Sequence, residues 1–133
     1  MDLLGLDFKS QAENTAEMHV THPVTLEDMY DANGKPVTVT VMGMECAIAK
    51  RAIKARAQKQ MNTRKTKVDI DEARAFSVGL LSKLIVASSG LTEGGVVLDL
   101  SDPETSNEVL TRFGWLREQI DEFVADRGNF YKA

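Results

Sequence analysis

The spacing of hydrophobic and polar positions changes several times along this chain, and each change marks an element. From Met18 to Thr21 the period is two, with Met18 and Val20 on one face of a strand and His19 and Thr21 on the other. Pro23 confines this piece to a strand end or a sheet edge. The turn signal DANGKP follows, where Asn33-Gly34 suits the positive φ of a hairpin. Alternation then resumes in VTVTVM, with Val37, Val39 and Val41 pointing one way and Thr38, Thr40 and Met42 the other. The pattern predicts a small antiparallel hairpin over about residues 17–42. Two strands are marginal alone in water, so this hairpin must lie on an apolar surface.

Beyond Gly43 the period becomes helical. A first helix is predicted from near Met44 to about Met61, with five alanines between Ala47 and Ala57. Its apolar stripe, Cys46, Ala49, Ile53 and Ala57, is made mostly of small residues that let a neighbour approach closely. Residues 62–67 read as a basic loop. A second helix starts at Asp69, a capping residue with Glu72 three positions on, and carries Ala73, Phe76, Leu80, Leu81 and Leu84 at helical spacing until Gly90 stops it. Glu93-Gly94-Gly95 is a turn, and Val96–Leu100 a short extended piece. Ser101-Asp102-Pro103-Glu104 then signals a third helix running to about Arg112. Phe113-Gly114 bends the chain into a last helix from Trp115, striped by Leu116, Ile120, Phe123 and Val124 and ended by Gly128. The expected fold is therefore mainly α: a single helical domain over residues 16–133 with a short N-terminal β-hairpin. An arm over residues 1–15 precedes it and stays open between a flexible segment and one docked on the core through Leu3, Leu4, Leu6 and Phe8, with Gly5 arguing against a firm helix there.

Length and composition keep this picture to one soluble domain. A chain of 133 residues buries roughly two-thirds of its unfolded surface, enough for one core. No apolar run approaches the ~20 residues that span a bilayer. MDLLGLDFKS carries acids where a signal peptide needs bases, which argues against secretion. Cys46 is the single cysteine, which excludes an intramolecular disulfide and fits a reducing, intracellular setting. The net charge of −4 is strongly segregated. Residues 1–49 carry 8 acids and 2 bases, residues 50–67 carry 8 bases and no acid, and residues 68–133 carry 12 acids and 6 bases.

Candidate chemistry is sparse. His19 and His22 have opposite strand parity and do not converge on one metal. Cys46 on an alanine-rich helix reads as a small buried residue rather than a nucleophile with a partner base. Gly34-Lys35 lacks the rest of a P-loop, and Gly90, Gly94 and Gly95 do not form a dinucleotide fingerprint. Helix capping accounts for Asp69 and Glu72 without a cation. These residues point away from an enzyme and call for no metal or cofactor.

Function is then expected on surfaces. The basic stretch admits nucleic-acid binding, because clustered cations attract phosphate. Against it, Lys50, Arg51 and Lys54 fall on one side of the helix and Arg56 and Lys59 on another, and the protein as a whole is acidic. The segregation fits head-to-tail self-association better, with the positive segment of one copy on a negative segment of the next. The candidates for partner or self contact are Lys50, Arg51, Lys54, Trp115, Ile120, Phe123, Phe130 and Tyr131. Trp115 and Phe123 also suit core positions or packing on the second helix. Phe130 and Tyr131, past the helix stop, either fold back on the domain or stay free as anchors.

The order of these motifs resembles the tail assembly chaperones of long-tailed bacteriophages, in particular the type found in HK97-like siphophages. The resemblance covers roughly residues 16–131 and rests on NGKPVTVTVMG, the basic alanine-rich helix, VLDLSDPE, and FGWLREQIDEFVADRGNF. Its most specific part is the ending, with Trp115, Leu116, Gln119, Ile120, Phe123, Asp126, Arg127, Asn129 and Phe130, preceded by the Ser101-to-Glu104 cap. These motifs are structural, so the resemblance carries over no catalytic residue. It implies a mainly helical protein of the host cytoplasm, absent from the finished particle. Such a protein self-associates, coats the elongated tape measure protein and helps recruit tail tube subunits. It also implies that a frameshift near the gene's end adds a second domain in a minority product, for which an exposed, mobile C-terminus would leave room. A nucleic-acid-binding regulator and a structural tail completion protein are the rival expectations.

Overall fold

The computed structural model describes residues 1–63 and 69–132. Strand β1 (Thr15–His19) pairs antiparallel with β2 (Thr38–Met42), in the predicted register region and with the predicted faces. Met18, Val20, Val37, Val39 and Val41 are buried, and their alternate neighbours are not. The connection between the two strands holds two turns. One closes at the Thr21–Asp28 bridge and the second at Tyr30–Pro36, so Asn33-Gly34 forms the tip of the second turn alone.

The hairpin has a third member. After helix α1 (Ala47–Thr63) comes α2 (Ile70–Leu84), which ends at Leu84 rather than at Gly90. The chain passes straight into β3 (Ile85–Ser89), antiparallel to β2. The β-branched pair Ile85-Val86 and the two serines that follow are weak helix formers, and β2 offers them an edge. Thr40 faces Ala87 and Val41 faces Ile85, which leaves Val86 as the extra residue of a bulge. Gly90 instead takes φ 86° at the exit of β3, with Val37 packed against its backbone. A two-stranded ribbon of β4 (Thr92–Glu93) and β5 (Val96–Val97) turns at Gly94-Gly95, both at positive φ. Helices α3 (Pro103–Arg112) and α4 (Gly114–Ala125) complete the fold. Among the described residues 50% are helical and 18% extended, so the chain is a small α+β protein with a β-hairpin, and the mainly α expectation holds only in part.

One cluster holds the core together. It joins the inner sheet face to Leu80, Leu81 and Leu84 of α2, Val109 and Leu110 of α3, and Leu116, Ile120 and Val124 of α4. Asp69 caps α2 as predicted, accepting from the amides of Asp71 and Glu72. Pro103 occupies the first turn of α3, while the Asp102 carboxylate accepts from the Thr105 hydroxyl. Helix α1 departs from its expected stripe. Cys46 and Ala49 are buried, but Ile53 is 42% exposed and Ala57 is open to solvent. The predicted basic loop falls outside the described residues from 64 onward.

Phe130 and Tyr131 are docked on the domain, not free. The Phe130 ring is 5% exposed and sits over Gly43, so closely that a Cβ there would lie 3.0 Å from the ring. It also meets Phe123 edge-on at 5.8 Å. Tyr131 stacks on Phe8 with ring centres 4.8 Å apart. Around them the Gln11 carboxamide exchanges two hydrogen bonds with the Lys132 backbone, Asn14 donates to the Phe130 carbonyl, and Arg127 pairs with Glu45 at 2.9 Å. Burial first, then the Glu45 carboxylate, raises the Tyr131 hydroxyl above its ordinary pKa. The N-terminal arm is therefore the wall that receives the C-terminal tail. From Phe8 onward it is tied down, while Leu3, Leu4 and Leu6 stay exposed in a 3-10 turn capped by Asp2.

Candidate functional site

The candidate surface residues do not gather at one place. Lys50, Arg51 and Lys54 share the exposed outer side of α1, with Lys50 3.8 Å from Glu45. Arg56 leaves that side and lies 4.4 Å over the Phe76 ring of α2, which agrees with the helical projection of the charges. Ile120 is fully buried and Phe130 nearly so; their side chains hold the domain together and are not available to a partner. Tyr131 is half-buried by Phe8. Phe123 faces a hollow beside β1, whereas Trp115 sits about 12 Å away along α4 at its other end.

Trp115 lines a largely apolar open groove of about 620 Å³. Three parts of the chain build it: Met29, Tyr30 and Val37 from the β1–β2 connection, Leu91, Val97 and Leu98 from the ribbon, and Val109, Phe113 and Leu116 from the α3–α4 corner. Each wall has a local cause. Asp31 accepts from the amides of Asn33 and Lys35 at 2.8 and 2.9 Å, which fixes the first wall around Gly34. The ribbon is held by its Gly94-Gly95 turn and by the Leu98 amide on the Leu91 carbonyl. The corner forms because Phe113 closes α3 on Val109 and begins α4 in the next residue. The rim is apolar as well, with Tyr30 57% and Val97 75% exposed.

One charged clamp fastens the ribbon to α3. Arg112 donates to both Glu93 oxygens, at 2.6 and 3.1 Å, and its guanidinium lies 5.1 Å from the Phe113 ring centre. The Arg112 hydrogen bond holds the Glu93 carboxyl below its ordinary range, and the cation's field adds to it. A depressed carboxyl pKa contributes stability above the unfolded value and loses it as pH falls through the folded one. The ribbon should thus stay clamped at neutral pH and loosen only in acid. Carboxyl NMR of Glu93 is expected to give a midpoint below that of an ordinary glutamate, and Arg112→Gln to return it to the ordinary range. An unshifted Glu93 in the parent protein would mean the clamp is not formed in solution.

His19, His22 and Cys46 each make local contacts with the backbone. His22 accepts from the amides of Val24 and Thr25, and His19 Nε2 lies 2.8 Å from the Met29 carbonyl. Cys46 is buried, with the Ala49 amide on its sulfur. Among the described residues no group of three His, Cys, Asp or Glu is placed to hold a metal, and no helix is long and apolar enough to cross a membrane. The sequence marks Trp115 as a contact candidate, but Tyr30, Val97 and Phe113 stand too far apart in the chain for any spacing rule to join them to it. No family model, curated protein or solved structure matches the chain.

Proposed function

We propose that this protein is a tail assembly chaperone of a long-tailed bacteriophage, acting in the host cytoplasm by reversible contact and without making or breaking a bond. It coats the tape measure protein, associates with its own copies and helps recruit tail tube subunits. The reading rests on the resemblance of its motifs, above all the ending from Trp115 to Phe130. The observation that carries it in the structure is the apolar Trp115 groove with an apolar rim, a shape suited to a hydrophobic stripe on a helical client. Many such modest contacts along one elongated client give avidity while each stays displaceable by incoming tube subunits.

Charge supplies the proposed spacing between copies. Lys50, Arg51 and Lys54 are exposed on α1, and Glu104, Glu108, Glu118, Asp121 and Glu122 are exposed on α3 and α4. A basic face on one copy and an acidic face on the next make a heterologous contact that repeats. The variant Lys50→Glu/Arg51→Glu/Lys54→Glu should lower self-association in sedimentation velocity at low salt, and unchanged oligomers would remove this contact from the account. The client side is tested by co-expression with the tape measure protein. The parent chain should keep it soluble, and Trp115→Ser should not. The same exposed cations favour, as the second reading, a nucleic-acid-binding regulator, which a salt-sensitive shift of duplex DNA would support and no shift at low salt would dismiss.

A further inference from the structure

The free edge of β1 carries an inference that does not depend on the chaperone reading. The sheet order is β1-β2-β3, so β1 is an outer strand. The Val20 amide donates to the Val37 carbonyl on the β2 side at 2.8 Å. Backbone alternation then turns the amides and carbonyls of Glu17, His19 and Thr21 away from β2. At Thr21 these outward groups are both taken by one side chain: the Gln119 carboxamide of α4 accepts from the Thr21 amide at 3.1 Å and donates to its carbonyl at 2.7 Å. Gln119 thus does for one residue what a neighbouring strand would do. At Glu17 and His19 no such substitute is present among the described residues.

Beside this edge runs an open hollow of about 500 Å³ between β1 and α4, floored by Met18 and Phe123. Its far wall carries Glu122 and Asp126, and no lysine or arginine lines it. Glu17 stands exposed on the strand itself. An incoming strand would therefore meet backbone donors and acceptors along one side, an apolar floor beneath, and carboxylates around it. The geometry points to β1 as a docking edge for an extended, cationic segment of a partner protein that adds a fourth strand to the sheet. Charge complementarity selects that occupant: a second copy's β1 would set Glu17 near Glu17, and an anionic segment would meet three carboxylates. Alternation in the added strand puts one set of side chains beside Glu17 and the other over Phe123, so the segment carries lysine or arginine with aliphatic residues between.

The probe is a capped heptapeptide of alternating lysine and valine, with an alternating glutamate and valine peptide as control. The expected result is saturable binding of the lysine peptide at low salt, weakened by added salt, with the Glu17 and His19 amides newly protected from hydrogen exchange. Glu17→Pro removes an outward amide at a position where an edge strand tolerates proline, and should weaken binding about tenfold. Glu122→Lys, outside the strand, should weaken it about tenfold as well and covers the case in which the proline variant misfolds. The proposal is overturned by any of three results of the peptide titration. One is no binding at millimolar peptide in low salt. Another is binding mapped to α1 or the Trp115 groove. The last is binding that both folded variants retain in full. A dimer formed through β1 in the absence of peptide would also overturn it.

Discussion

Ile120→Ala is expected to lower folding stability by about 2–5 kcal/mol, the range for truncating a fully buried aliphatic side chain. Ile120 has no exposed surface and lies in the same cluster as Leu81, Leu84 and Leu116. Losing three carbons there opens a cavity where α4 joins the shared helix–sheet core. Urea denaturation should show the midpoint falling at every protein concentration tested. That independence matters, because the helical stripe alone also admitted Ile120 as a contact residue. A loss that disappeared at low protein concentration would return Ile120 to an interface.

Phe130→Ala should cost about 3 kcal/mol, near the lower end of the range for a buried phenylalanine. The lower end applies because Phe130 lies outside the α-helices, just past the 3-10 turn Arg127–Asn129, so this segment can undock locally and limit the loss to its own docking free energy. Gly43 supplies the control. Gly43→Ala in the parent protein drives a methyl group to 3.0 Å from the Phe130 ring and should cost about 1–3 kcal/mol. In the Phe130→Ala background the ring is gone and the same change should be close to neutral. A double-mutant cycle measures this coupling directly. Additive losses would mean that Phe130 does not occupy the place over Gly43 in solution.

Much of the fold was legible because local rules and burial agreed. The alternation of Val37, Val39 and Val41, the cap at Asp69 and the proline in the first turn of α3 each specify an element without help from the rest of the chain. The third strand was hidden because Leu80, Leu81 and Leu84 continue a helical stripe up to Ile85, and only the presence of β2 alongside favours extension afterwards. The stripe on α1 misled for a related reason: alanines form a helix whether or not anything packs on them, so Ile53 and Ala57 follow helical spacing into solvent. The fate of Phe130 and Tyr131 depended on Gly43 and Phe8, more than 80 residues away in the chain, and no periodicity reports such a pairing. The Trp115 groove has the same character, since its walls meet only after folding.

Under the proposed function the Trp115 groove binds a hydrophobic helical client reversibly. Trp115 is the only tryptophan, so its fluorescence reports on the groove without labelling. Titrating amphipathic peptides from the tape measure protein should shift the Trp115 emission to shorter wavelength in a saturable way, and dilution should reverse it. Emission that stays constant through the titration, under conditions where sedimentation shows the peptides bound, would contradict the claim.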